Sequence, residues 1–229
     1  MNALLTALGS ILLVWTLPPV VAAIAPGLEP DAAAAWAFAL SLVWVIATGE
    51  RVRCHRAGPA ALASGFLAGL ASYPGWCLGI AALGLALGLP PAIPIPATTP
   101  TGLASALVLS PAFEELLYRE RLQHALRGVG TPCAARVVAS AALFAVPHAT
   151  PWGLLGAATV GLGLAATYER SGCVVHCIAL HAGLNLGSLA RIPPAAGVAL
   201  APAAVLLWIA STRLASRVAG GSHRALAPA

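Results

Sequence analysis

Apolar stretches close to the length of a bilayer crossing recur eight times along the chain, at 3–25, 32–48, 59–88, 101–118, 134–147, 152–168, 172–190 and 195–212. A helix of about 20 apolar residues crosses the hydrocarbon layer. Lipid offers no partner to a free backbone N–H or C=O, so such stretches must close their own hydrogen bonds as helices. The predicted fold is therefore all-α, a polytopic transmembrane helical bundle of about eight spans. Composition agrees, with 59 % hydrophobic and 8 % charged residues, where a soluble domain carries roughly a quarter charged.

Turn-rich breaks such as "APGLEPD", "GERVRCHRAGP", "LPPAIPIPATTP", "RGVGTP", "ATP", "ERSG" and "RIPP" separate the stretches. Tyr73-Pro74-Gly75 is expected to interrupt the third span, and Pro147 to end the fifth. The first 25 residues end in a cleavage-like "VAAIA". They lack a basic leading region and are too long for a signal peptide, so they read as a first transmembrane helix. No internal repeat is visible. The organisation predicted is 1–100, N-terminal helices without motifs; 101–190, the motif-bearing core; 191–212, the last helix; and 213–229, a disordered cytoplasmic tail.

All twelve basic residues are arginine, and their positions carry more information than the +5 net charge, which gives no reason to expect a nucleic-acid partner. Arg51, Arg53 and Arg56 share one predicted loop, and Arg119, Arg121, Arg127 and Arg136 another. Arg170 falls in a third loop, and Arg213, Arg217 and Arg224 in the tail. With eight spans these all face one side, and only Arg191 faces the other. The positive-inside rule then predicts a cell-membrane protein with both termini cytoplasmic. The cysteines, Cys54, Cys77, Cys133, Cys173 and Cys177, are odd in number and scattered, which argues against a disulfide framework. Cys173, Cys177 and His181 share one helical stripe, which reads as packing in preference to a soft-metal site.

Ionisable groups inside spans are costly and mark functional candidates, and here they are confined to the second half of the chain. The fourth span ends in "EELLYR", the fifth in "FAVPH", and the seventh carries His176 and "HAGLN". Glu115 and Arg119 stand at i, i+4, acid first, the favourable order for a helical ion pair. Glu114 points about 100° away round the helix, with no local partner in the sequence. A lone carboxylate in a low dielectric suits a general base or a metal ligand; the alternative is a pair of glutamates snorkelling at the interface. His148 follows a helix-breaking proline and can face a cavity. His181 and Asn185 share a face, with Gly183 permitting close approach of a neighbour. Taken singly, a lone histidine is more often hydrogen-bonded structure than a ligand, and His181 with Asn185 could be interhelical glue; together, three helices supply the groups that activate water. The HExxH motif of soluble zinc proteases is absent.

In order and spacing these motifs resemble the EExxxR, FxxxH and HxxxN signatures of the CPBP family, the CAAX-protease, Abi and bacteriocin-processing intramembrane proteases, also called type II CAAX prenyl endopeptidases. The resemblance covers roughly 100–190. It implies a membrane-embedded endopeptidase that cuts a peptide or protein substrate near the bilayer surface. Glu114 would activate water, with His148 assisting; His181 and Asn185 would stabilise the oxyanion; Glu115 and Arg119 would be the supporting pair. It leaves metal dependence open, since Glu114, His148 and His181 could instead bind Zn²⁺, with water in the fourth place. The alternative function is a non-catalytic immunity or scaffold protein of the same fold. A proton-coupled carrier is disfavoured, since no inverted repeat or matched pair of broken helices is visible.

Overall fold

The computed structural model describes residues 2–48, 58–89, 99–148, 150–193 and 195–224. Their regular structure is entirely helical: α1 (Asn2–Ile24), α2 (Pro30–Thr48), α3 (Pro59–Ala86), α4 (100–128), α5 (Cys133–Ala145), α6 (Pro151–Ser171), α7 (Val174–Leu189) and α8 (Ala195–Arg224). This is the all-α bundle expected from the sequence. Among the described residues, α1, α2, α3 and α8 contain runs long and apolar enough to cross a membrane, while α5 and α7 are apolar but shorter. Arg51, Arg53, Arg56 and Cys54 lie outside the described residues.

The breaks in the sequence act as helix punctuation. Thr99-Pro100 opens α4 and Thr150-Pro151 opens α6. In each, the threonine hydroxyl accepts from a backbone N–H three residues on, at 3.0 Å, while proline fills the first turn where its missing N–H costs nothing. Gly172 ends α6 in the left-handed region, at φ 63°.

Two expectations are corrected. Pro74 does not interrupt α3, which runs unbroken from Pro59 to Ala86. Gly197 of α8 packs directly on the backbone of Pro74 and Gly75, where a Cβ would lie 2.5 Å from the Pro74 carbonyl carbon, so neighbouring helix covers the proline. The tail expected over 213–229 is helical through Arg224, and 225–229 lie outside the described residues. Ser211, Ala215 and Ala219 form a buried stripe at four-residue spacing that carries α8 past the apolar run.

The core is built by close helix crossings. A Cβ at Gly69 of α3 would sit 2.0 Å from the Leu180 carbonyl oxygen of α7, and one at Gly183 of α7 would sit 2.1 Å from that of Phe66. The two glycines let the backbones touch, as small residues do where packing must replace a hydrophobic driving force. This crossing fixes the height of His181 and Asn185. α5 packs on α6, and α1 on α2 and α4.

Candidate active site

α4 carries the acidic pair, and its winding decides which way the pair faces. Two π-helical stretches, Ser105–Leu109 and Leu116–Gln123, flank an ordinary α-turn, Ser110–Glu115. A π turn adds a residue to the circuit and often marks a functional position. Leu116, Leu117, Tyr118, Arg119, Leu122 and Gln123 are all buried in the second stretch. The predicted loop containing Arg119 and Arg121 does not exist, because the helix continues to Gly128. Arg119 is fully enclosed, and Arg121 bonds Ser10 of α1 and the Val45 carbonyl of α2. These two arginines therefore tie the bundle together and are not loop charges.

The predicted pair is present: Arg119 Nε lies 3.1 Å from Glu115 Oε2, both side chains with no exposure. Arg119 also reaches the Gly161 carbonyl of α6 at 3.4 Å and lies over the Phe144 ring, 4.8 Å from its centroid. A guanidinium over an aromatic face is attracted by the ring quadrupole. Glu115 Oε1 is 3.0 Å from His181 Nδ1. An ionised carboxylate only accepts, so Nδ1 carries the hydrogen and donates to it.

Glu114 is not partnerless, as its isolation in the sequence suggested. The Ser110 hydroxyl, one turn back, donates to its Oε1 at 2.9 Å, and its Oε2 faces His181 Nε2 at 3.7 Å. Both facing atoms are acceptors unless one holds a proton, and at 3.7 Å they are in ion-pair range but not hydrogen-bonded. Arg119, Glu115, His181, Glu114 and Ser110 thus form one polar chain across α4 and α7, and Glu114 is its end at the cavity. Glu114 and His148 line the same space of about 560 Å³, with Trp15, Phe113, Tyr118 and Phe144. His148 Nδ1 is 3.2 Å from the Phe144 carbonyl. A carbonyl cannot donate, so Nδ1–H does, and among the described residues Nε2 makes no hydrogen bond.

Asn185 stands apart from His148. Its Nδ2 donates to the Ala106 carbonyl of α4 at 2.7 Å, and it lines an adjoining cavity of about 330 Å³ with Asp31 and Ser110. Four of the six predicted polar residues are therefore joined in one chain, His148 shares Glu114's cavity, and Asn185 sits across Ser110 from it.

Among the described residues no three His, Cys, Asp or Glu side chains gather to hold a metal ion. Both His181 nitrogens face carboxylates, and His148 Nδ1 is committed to a carbonyl. Cys173 and Cys177 are buried and form no disulfide among the described residues, and the Cys177 thiol points to the Leu164 carbonyl at 3.8 Å, as a packing residue would. His176 is buried against Gly65, with Nδ1 3.1 Å from the Ala61 carbonyl.

A second ionic cluster, absent from the sequence reading, lies near the C-terminal end of α4. Glu169 of α6, just past the apolar run 152–168, accepts from Arg136 at 2.6 and 2.9 Å, from Arg127 at 2.8 Å and from Gln123 at 2.9 Å. Burial opposes its charge, but the hydrogen bonds from Arg136, Gln123 and Arg127 outweigh burial and bring its pKa down from 4.5 to about 2. Ser110 and Tyr118 were also missed, although both stand four residues from Glu114 and so share its face. Trp15 and Phe38 reach the two cavities from α1 and α2 without any signal in the sequence.

A carboxylate and an imidazole, Glu114 and His148, thus line one cavity of a helical bundle whose longest helices are apolar enough to cross a membrane. Residues 96–187, which hold all three motifs, match the family model described as Type II CAAX prenyl endopeptidase Rce1-like. No curated protein and no solved structure matches the chain.

Proposed function

We propose that the protein is an intramembrane endopeptidase in which Glu114 activates the hydrolytic water. The observation that supports this most is the position of Glu114 at the open end of the Arg119–Glu115–His181 chain, sharing a cavity with His148. The peptide carbonyl enters that cavity, and water is held between Glu114 and His148. Glu114 takes a proton as the water oxygen bonds to the carbonyl carbon. The C–N bond then breaks, and the proton is delivered to the leaving nitrogen. Buried Glu115 keeps His181 turned toward Glu114, the role a buried carboxylate plays for a histidine in hydrolytic triads. None of these steps uses a metal.

Internally quenched peptide libraries presented to the purified protein in proteoliposomes test the reading. Cleavage should vanish in Glu114→Gln with the folded protein retained, and should survive chelation. Restoration of a chelated, inactive enzyme by Zn²⁺ alone would replace this mechanism with a metal-dependent one. A non-catalytic scaffold predicts no cleavage by wild type and loss of folding in Glu114→Gln. Substrate follows from comparing membrane proteomes of cells carrying wild type and Glu114→Gln for a polypeptide that accumulates uncut. We also propose a cell-membrane location with both termini cytoplasmic; a cytoplasmic signal from a reporter fused after residue 95 would contradict that topology.

A further inference from the structure

Independently of the endopeptidase reading, we infer that the protein holds an anionic phospholipid in a groove between α3, α6 and α8, with an acyl chain against Trp76 and Trp208 and the phosphate on Arg170 and Arg213.

Two cavities follow each other along this face, one of about 450 Å³ and one of about 630 Å³, with Trp76, Trp208 and Ile209 as their shared wall. The first is apolar and opens beside Gly79, Ile80 and Val205. The second ends among Thr212, Ser216, Arg170 and Arg213. At about 1.5 Å per residue, the path from Thr159 to Arg170 on α6, or from Ala201 to Arg213 on α8, is about 17 Å long. Half of the hydrocarbon core is about 15 Å. The groove therefore has the depth of one leaflet, apolar along its length and cationic at one end. None of its lining residues belongs to the cavity of Glu114 and His148, which α1, α2, α4 and the end of α5 enclose.

The polar groups of the wall are already committed, the two arginines apart. Trp76 Nε1 donates to the Thr159 hydroxyl at 3.0 Å, and Trp208 Nε1 to that of Thr167 at 2.9 Å. The Thr212 and Ser216 hydroxyls donate to backbone carbonyls about one turn back. The indole rings stack, centroids 5.6 Å apart at 19°, and with their N–H groups used they offer the groove only apolar surface. Gly79 leaves room beside them, since a Cβ there would meet nothing within 4 Å. Val205 and Ile209 stay 57 % and 39 % exposed. Among the described residues the side chains of Arg170 and Arg213 have no ion-pair or hydrogen-bond partner. Glu169, next to Arg170, is taken by Arg127, Arg136 and Gln123. Guanidinium groups bind phosphate oxygens through paired N–H donors, and basic pockets between membrane helices take anionic headgroups. A second copy seated here about a two-fold axis would instead set arginine against arginine.

Exposed arginines are also drawn to any charged bilayer, and Arg217, exposed but outside the groove lining, is the control for that general attraction. Delipidated wild type, Arg170→Gln, Arg213→Gln, their double variant, Arg217→Gln and Gly79→Leu are titrated in detergent with palmitoyl-oleoyl phosphatidylglycerol. The phosphatidylcholine with the same chains and inorganic phosphate are titrated in parallel. Native mass spectrometry reads occupancy, and thermal unfolding reads the stability that binding confers. Wild type should take up a single phosphatidylglycerol about tenfold or more tightly than phosphatidylcholine, and melt higher with it. Each groove arginine should account for about fivefold and the pair for about 25-fold, while Arg217→Gln changes nothing. Gly79→Leu keeps both arginines but fills the apolar half, and should weaken binding about tenfold. Equal uptake of the two lipids, or undiminished phosphatidylglycerol binding by the double variant, overturns the inference. An unaffected Gly79→Leu, or displacement of the lipid by inorganic phosphate, makes this a soluble-anion site and overturns it too. Two copies joined through this face with no lipid bound would do the same. Where the double variant fails to fold, the two single variants decide by the same criterion.

Discussion

Glu115 and Glu169 are both carboxylates gripped by arginine and by a second polar side chain, and both join α4 to a neighbouring helix. They differ in what surrounds the grip. Around Glu115, Arg119 has no exposure at all, and the second partner is a histidine that leads on to Glu114 and the cavity. Around Glu169 the arginines lie toward the end of the bundle, Arg127 with 43 % of its side chain exposed, and among the described residues no hydrogen bond runs from them to Glu114. Buried charges cost much to desolvate and are disastrous to orphan, whereas exposed pairs are screened and contribute little. Under the proposed endopeptidase reading, the inner cluster is kept at a cost in stability because it orients Glu114; the outer one fastens helix ends.

The largest contrast is expected from removing one arginine of each cluster. Arg119→Met leaves Glu115 charged and enclosed, with His181 alone to offset it, and should destabilise the fold by about 3–5 kcal/mol. Arg127→Ala leaves Glu169 its two-point contact with Arg136 and should cost no more than about 1 kcal/mol. Thermal unfolding in detergent measures both. Comparable melting temperatures for the two variants would erase the distinction between the clusters.

Within the inner cluster the two adjacent glutamates should then separate by kind of effect. Glu114→Gln preserves the size of the side chain and its bond from Ser110, but it removes the proton acceptor. Cleavage should fall about 10³-fold, the span of a general base, with melting almost unchanged. Glu115→Gln removes the counter-ion of a buried guanidinium and should lose melting temperature and activity together. If Glu114→Gln instead melts early and Glu115→Gln keeps its stability, the roles assigned to the doublet are reversed.

The sequence exposed the members of this arrangement unevenly, for physical reasons. Helical fold and helix starts follow from backbone demands that lipid enforces locally, so apolar runs and Thr-Pro pairs announce them. The Glu115–Arg119 pair is likewise local, four residues apart on one helix. Glu114's partners were only half visible: Ser110 lies one turn away, but His181 arrives through the Gly69–Gly183 crossing, a property of two helices distant in sequence. The π-turns of α4 escaped altogether, since an added residue per turn depends on packing and leaves no periodicity to read. That omission put Arg119 and Arg121 in a loop and weakened the count of loop arginines from which topology was argued. Trp15 sits in a helix with no polar motif, so nothing marked it as a neighbour of Tyr118.

The outer cluster offers the smallest effect, and its pH dependence has a definite sign. Glu169 has a pKa of about 2 in the folded protein, below its ordinary 4.5. A carboxylate lowered in this way stabilises the fold fully above the unfolded value, and that contribution disappears as pH falls through the folded one. Wild-type stability should therefore decline between about pH 4.5 and about pH 2 by a step that Glu169→Gln lacks. With screening by solvent the step is on the order of 1 kcal/mol. Glu169→Gln should meanwhile retain cleavage near neutral pH, because no link of its network reaches Glu114. Parallel melting curves of wild type and Glu169→Gln across that pH window would show that the outer arginines do not hold this carboxylate ionised. Loss of cleavage in Glu169→Gln, with melting unchanged, would couple the end of the bundle to the catalytic cavity and break the division between the two clusters.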